Sequence, residues 1–257
     1  MGLDLYAGTL TRYYAHNWKT VVWQWAEENG YGFHRVTAEG DVLSEEEKMS
    51  PAQIQEEVEN WRDQILAAVM RPGQKPYAAW IEDNDKPYFT DKPDWDAMGA
   101  MLLVAACHSY GEPVPATVKK HWEFRNHPLI DRLSQDQEKI WSLFRDTSCW
   151  LPLPDGILFQ APLPTGCQTM IATTAGLRRE LETLNDLAWQ ADEDTILGGS
   201  RTEGYPADGQ IGADGKITTE AEHMEYDTQS LAKFAFSIFY FGLKFAEENQ
   251  VPILLDY

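Results

Sequence analysis

A short run of carboxylates around one histidine, residues 220–227, has the side chains that a divalent metal ion or a hydrolytic site needs. Glu222, His223 and Glu225 follow one another closely enough to supply oxygen and nitrogen ligands to such an ion. This cluster predicts a small-molecule or metal-dependent hydrolase as one alternative. The other interpretation, which we favour, is a charged helix start, because acidic residues are stabilised near the positive end of a helix.

The wider segment 180–227 contains 13 Asp and Glu residues, with Arg201 and Lys216 as its cations, so it carries −11 of the formal −20 of the chain. A concentrated negative surface attracts cationic proteins and speeds their association. The segment therefore predicts a protein-binding face, and the alternative is an ordinary solvated surface. We expect the face to combine carboxylates with tyrosine anchors, namely Asp192, Glu193, Asp194, Glu203, Tyr205, Asp208, Asp214, Glu220, Glu222, Glu225 and Tyr226.

Motifs of covalent or metal-dependent catalysis are missing from the sequence. It has neither the G-x-S-x-G pattern that presents a nucleophilic serine nor the H-E-x-x-H pattern of a zinc hydrolase. We therefore expect no catalytic residue and no cofactor, and a binding protein is favoured over an enzyme.

The overall composition indicates the compartment and the charge of the partner. With 41 Asp and Glu against 21 Lys and Arg, the chain should be repelled by nucleic acid and by anionic membranes. It contains no run of about 18 apolar residues that could span a membrane, and residues 1–6 lack the features of a signal peptide. Three sparse cysteines are typical of a reducing cytoplasm. We predict a cytoplasmic protein with a basic protein as partner, and the oligomeric state is left open.

Several stretches have the signals of helices that would position these residues. Ser50, Pro51 and Gln53 form a capping box ahead of an apolar stripe, and Asp94 and Asp227 are placed to cap two further helices. Three further helices are predicted from their apolar stripes. One follows Asn17, with Trp18 and Trp25 facing inward. One follows Thr173 or Thr174, with Leu177, Leu181, Leu184 and Leu187 or Ala188 inward, and a partial helix covers 130–144, with Ile140, Leu143 and Phe144 inward.

Short extended segments alternate with these helices. The alternation predicts an α+β fold in which a mixed or antiparallel sheet is covered by amphipathic helices. The chain is interpreted as one domain over 1–257, and a subdivision near 150–165 is the alternative. The segments concerned are strands at 3–13, 77–81, 167–172 and 251–255, a Gly-rich acidic loop or hairpin at 195–218, and a linker or set of edge connections at 150–164, which holds four prolines.

The first 14 residues carry a resemblance. Met1-Gly2-Leu3-Asp4-Leu5-Tyr6, followed by Thr9-Leu10-Thr11-Arg12-Tyr13-Tyr14, resembles the start of uncharacterised bacterial proteins. Some of these are similar in style to immunity proteins of polymorphic toxin systems. The resemblance implies a protein of the immunity type that neutralises a basic toxin by covering it, and it carries no catalytic residue over.

Overall fold

A mixed sheet of six strands forms the centre of the fold in a computed structural model of the chain, which describes residues 2–31, 49–205, 210–211, 217–218 and 225–257. Its strand order is β2-β1-β10-β4-β6-β5. Adjacent strands pair antiparallel except for β4 and β6, which are parallel. The six strands are β1 (Asp4–Ala7), β2 (Phe89–Asp91), β4 (Thr147–Leu151), β5 (Leu158–Pro162), β6 (Gln168–Thr173) and β10 (Ile253–Asp256).

Two smaller antiparallel pairs lie outside this sheet, β3 (Thr117–Lys119) with β9 (Glu225–Asp227) and β7 (Gln210–Ile211) with β8 (Ile217–Thr218). Within the described ranges there are eight α-helices: α1 (Leu10–Tyr14), α2 (Val21–Glu28), α3 (Pro51–Val69), α4 (Trp95–Tyr110), α5 (Pro128–Gln135), α6 (Thr174–Ala188), α7 (Glu193–Thr202) and α8 (Thr228–Asn249). The predicted α+β class, with helices covering a sheet of mixed pairing, is therefore confirmed.

Both faces of the sheet are apolar, because successive side chains of a strand point to opposite sides. On β1, Leu5 belongs to a buried cluster formed with α4, α6 and α8. Its neighbour Tyr6 belongs to a second cluster, which also contains Trp61 of α3. The same alternation holds on β4, where Trp150 joins the first cluster and Cys149 the second. The sheet is thus the middle layer between two helical layers.

Several local predictions are confirmed by the hydrogen bonds at helix ends. Ser50 and Gln53 bond reciprocally in a capping box at the start of α3. Asp94 caps α4, Thr173 caps α6 and Asp227 caps α8. The strand predicted at 167–172 corresponds to β6, and the terminal strand predicted at 251–255 corresponds to β10.

Other local predictions are wrong. The segment 3–13 is not one strand, since β1 ends at Ala7 and Thr9 caps α1. The segment 77–81 forms no strand, and α2 is capped by Thr20 rather than Asn17. Some side chains expected to face inward are exposed, namely Trp25 (56% exposed) and Ile140 (58%). Of the two alternatives at the end of α6, Leu187 is 46% exposed, whereas Ala188 packs against the buried core.

The segment predicted as a loop or hairpin at 195–218 divides into two parts. Its first part, through Thr202, is helical in α7, because Asp192 caps that helix and Gly199 lets it approach α8 closely. A Cβ atom at Gly199 would lie 3.2 Å from the Cβ of Ser237 on α8. Further along the segment, β7 and β8 pair antiparallel, which agrees with the hairpin alternative of the prediction.

The proline-rich segment 150–164 begins in the last two residues of β4, contains β5 and ends before β6. This strand is at one edge of the six-stranded sheet, where prolines are tolerated because one side of an edge strand makes no ladder hydrogen bonds. Of the two roles predicted for the segment, the structure therefore shows the edge position.

Candidate protein-binding face

The acidic residues at the start of α7 are exposed, and one of them has a local structural role. Asp192 is the N-cap: its carboxylate accepts the backbone N–H of Thr195 at 2.8 Å. Hydrogen bonds to Thr195 lower the pKa of Asp192. Glu193 and Asp194 occupy the first turn, where the helix dipole favours negative charge. The three carboxylates therefore lie together at one end of the helix.

An ion pair joins this end of α7 to α8. The Nζ of Lys244 lies 2.6 Å from an Oε atom of Glu193. The hydrogen bond and charge of Glu193 raise the pKa of Lys244, and Glu248 one turn further along α8 raises it too. The exposed lysine is thus already surrounded by carboxylates of this protein.

A second set of ion pairs joins α6 to α8. The guanidinium of Arg178 contacts Glu182 on its own helix at 3.6 Å and bonds to Glu247 on α8 through two nitrogen atoms. Asp186 lies one further turn along α6 and is exposed, as Glu182 is. The buried leucines of α6 occupy its opposite side, against the core.

We group the residues joined by these ion pairs with their charged neighbours along the same three helices and call the group the acidic face: Arg178, Glu182, Asp186, Asp192, Glu193, Asp194, Lys244, Glu247 and Glu248. It contains seven carboxylates and two cations, so it has an excess of five negative charges. Both cations already bond to carboxylates within the face. A positively charged partner would meet no unpaired cation of the face.

The sequence prediction found only part of this face. Asp192, Glu193 and Asp194 were named as binding residues, and Glu182 and Asp186 lie in the predicted acidic segment, whereas Glu247 and Glu248 of α8 were not expected. The i, i+4 spacing of Glu182 with Asp186, and of Lys244 with Glu248, is the signal that could have indicated exposed helix surfaces.

The two tyrosines expected as anchors pack against each other instead of standing free. The rings of Tyr205 and Tyr226 meet edge to face with centroids 4.9 Å apart, and Tyr205 also contacts Phe234 of α8. The hydroxyl of Tyr205 is buried, and burial raises its pKa. These rings are half-buried and support the α8 side of the core.

Nearby carboxylates from the predicted set have partners of their own. Glu203 lies 3.4 Å from the Nζ of Lys233, and Glu225 accepts a hydrogen bond from the hydroxyl of Thr117 at 2.9 Å. The structure therefore places Glu203, Tyr205, Glu225 and Tyr226 together, around β9 and the end of α7. The remaining predicted residues, Asp208, Asp214, Glu220, Glu222 and His223, lie outside the described residues.

Of the three residues of the alternative metal site, Glu222, His223 and Glu225, the structure describes only Glu225. Among the residues that the structure describes, no three His, Cys, Asp or Glu side chains come together as ligands for a metal ion.

Glu180 belongs to the acidic segment but not to the acidic face. Its carboxylate accepts the backbone N–H of Ser142 at 2.6 Å, the Ser142 hydroxyl at 2.9 Å and the backbone N–H of Leu143 at 3.1 Å. It thereby caps the short 3₁₀ helix Ser142–Phe144. The Ser142 hydroxyl in turn accepts the indole N–H of Trp150 at 2.8 Å. Burial raises the pKa of Glu180 to about 7.

Comparison of the chain with protein-family models, curated proteins and solved structures gives no match. In the part of the chain that the structure describes, no helix has the length and apolarity needed to cross a membrane.

Proposed function

We propose that this protein is a cytoplasmic binding protein that docks its acidic face on a basic partner protein. The observation that supports the proposal is the excess of five negative charges on a surface whose two cations already bond within it. A partner rich in Lys and Arg would be attracted to this face, and neutral or acidic proteins would be disfavoured. Nucleic acids are disfavoured for the same reason.

The mode of action proposed is occlusion by an immunity-type protein. A protein of this kind neutralises a toxin by covering a surface that the toxin needs. The toxin class of the partner is inferred from the resemblance of residues 1–14 to proteins that include immunity-like ones. The acidic face is inferred independently of that resemblance, so the binding proposal does not depend on the partner being a toxin.

The acidic face is suited to such docking because it is built on rigid elements. Its carboxylates lie on α6, α7 and α8, where α6 and α7 each pack on α8, and cross-helix ion pairs fix Glu193 and Glu247 in place. Fixed charges on helices lose less conformational freedom on binding than charges on loops, which leaves more of the interaction energy for affinity.

The test compares two variants with the same loss of charge. The face variant neutralises four carboxylates and leaves the Asp192 cap and the Lys244 ion pair intact: Glu182→Gln, Asp186→Asn, Asp194→Asn and Glu248→Gln. The control variant neutralises four exposed glutamates elsewhere: Glu56→Gln, Glu57→Gln, Glu112→Gln and Glu138→Gln.

Each protein is immobilised and exposed at low salt to cytosol from its own source cells, and the bound proteins are identified by mass spectrometry. We expect the unchanged protein and the control variant to retain the same basic protein, and the face variant to lose it. Retention of that protein by the face variant would contradict the proposal. Growth rescue on co-expression with the captured protein then tests whether that protein is a toxin.

A further inference from the structure

A cavity of about 480 Å³ opens between α4, α5 and the sheet, away from the acidic face. Its lining comes from α4, α5, the start of β4, and residues of β6 and β10, and it includes none of the residues that define the acidic face. Its volume lies within the range of roughly 300–1,000 Å³ that is typical of small-molecule sites.

One side of the cavity is aromatic and aliphatic. Trp95 and Phe124 stack with ring centroids 6.3 Å apart at an interplanar angle of 23°. Met98 and Leu102 of α4 and Phe144 continue this wall. Such a surface gains free energy by covering the apolar part of a ligand, in proportion to the area removed from water.

The lining also contains a cation, Arg145, that forms no ion pair with a described carboxylate. Arg145 is half-buried, and its Nη2 donates to the backbone carbonyl of Asp136 at 2.5 Å. Its Nε atom is buried and has no hydrogen-bonding partner among the described residues. No described carboxylate lies within 4 Å of this guanidinium, since Arg145 is absent from the ion pairs of the structure. A half-buried guanidinium favours an anionic acceptor, because charge-assisted hydrogen bonds are among the strongest in proteins.

A second polar atom in the lining is also unsatisfied. Thr147, at the start of β4, is 5% exposed, and its Oγ1 has no hydrogen-bonding partner among the described residues. Buried polar groups are normally paired. Two unsatisfied polar groups on one cavity wall therefore point to a ligand with a polar end.

The remaining charges limit the charge of that ligand. Arg125 lies over the Trp95 ring, 5.3 Å from its centroid, and pairs with Asp146 at 3.4 Å. Its charge is therefore already balanced by Asp146. Asp131 in the lining repels any anion, and it repels a doubly charged group such as a phosphate monoester more strongly than a carboxylate. Because Asp131 is exposed and Arg145 is half-buried, the guanidinium of Arg145 is the charge that a single anionic group in the cavity would meet.

We propose that this cavity binds an organic monocarboxylate with an aromatic or branched apolar body. The carboxylate pairs with the guanidinium of Arg145, and the apolar body covers Trp95 and Phe124. The proposal goes beyond the protein-binding function and does not depend on it.

Three probes of similar size test the proposal: 3-phenylpropionate, its neutral amide 3-phenylpropanamide, and the dianion phenyl phosphate. Binding is measured by NMR titration of the ¹⁵N-labelled protein, following the indole N–H of Trp95. We expect the carboxylate to bind about tenfold more tightly than either the amide or the phosphate ester, because it alone combines the apolar body with a single charge. Equal affinity for acid and amide, tighter binding of phenyl phosphate, or no shift with any probe would overturn the proposal.

Substitutions in the chain then locate the binding. Arg145→Gln should reduce the affinity for 3-phenylpropionate to that for the amide, whereas Arg71→Gln, which removes an exposed arginine outside the cavity, should leave it unchanged. Ser134→Phe should block all probes, because the larger side chain fills the cavity from α5. This variant keeps Arg145 and therefore tests the site even if the Arg145→Gln protein does not fold. Undiminished binding to a folded Ser134→Phe protein would place the probe elsewhere and contradict the assignment.

Discussion

Glu180 should make the folded protein less stable as the pH rises through the neutral range. Burial raises the pKa of this carboxyl from an ordinary 4.5 to about 7, although three hydrogen bonds favour its ionised form. Between these two pH values the folded state therefore binds more protons than the unfolded state. Stability must then fall with rising pH, and its full contribution is present only below pH 4.5.

The magnitude follows from the difference between the two pKa values. Since each pKa unit corresponds to about 1.4 kcal/mol, this carboxyl should lower the free energy of unfolding by about 3 kcal/mol between acid and neutral pH. The protonated form is readily accommodated, because the Ser142 hydroxyl can reverse its hydrogen bond and accept the proton of Glu180.

The assay is urea unfolding followed by tryptophan fluorescence at pH 5, 6, 7 and 8. Other carboxylates titrate too, so the informative quantity is the difference in free energy of unfolding between the unchanged protein and Glu180→Gln. This difference should change by about 2.5 kcal/mol between pH 5 and pH 8, in favour of the variant at high pH, because part of the full effect lies below pH 5. Glu182→Gln, an exposed change on the same helix, should show no such trend. A difference that does not vary with pH would refute the account of Glu180.

Two further predictions rest on burial. Leu181→Ala should lower the free energy of unfolding by about 2–5 kcal/mol, because Leu181 is fully buried. Leu187→Ala, on the exposed side of the same helix, should change it by less than about 1 kcal/mol. Equal losses for the two variants in urea unfolding would contradict this placement of α6. With a thiol-specific dye at neutral pH, the exposed Cys167 should react in the folded protein. Cys107 and Cys149 should react only after unfolding, because both are buried and burial raises the pKa of both thiols. Rapid labelling of more than one thiol in the folded chain would contradict their burial.

The parts of the fold that sequence reasoning predicted correctly are those fixed by neighbouring residues. A capping box such as Ser50 with Gln53 needs only four residues to be recognised, and its hydrogen bonds form within them. The same is true of Asp227 before α8 and of Asp94 before α4, which cap their helices through hydrogen bonds to backbone N–H groups within three residues.

The errors arise where distant contacts decide the structure. Gly198 and Gly199 indicated a loop, yet α7 is helical there because Gly199 packs on Ser237 of α8. The backbone N–H of Ser200 also donates to the Ser237 hydroxyl at 3.0 Å. A contact across 37 residues cannot be seen in a local pattern. Likewise, the last strand β10 pairs between β1 and β4, so the two ends of the chain meet in the sheet.

The candidate binding face was predictable in charge but not in membership. The sequence located an excess of carboxylates at 180–227, and Asp192 is indeed an exposed member of the face. It could not show that Glu180 is turned inward to cap a 3₁₀ helix, or that Glu247 of α8 joins Arg178 of α6. Which carboxylates share one surface depends on helix packing.

The most direct test of the central claim is the association rate of the purified protein with its captured basic partner, measured at increasing ionic strength. If the acidic face guides docking, the rate constant should be high at low salt and fall steeply as salt screens the charges. The face variant should associate more slowly, with a much weaker salt dependence, and the equally charged control variant should behave like the unchanged protein. The same rate and salt dependence for the face and control variants would contradict the claim.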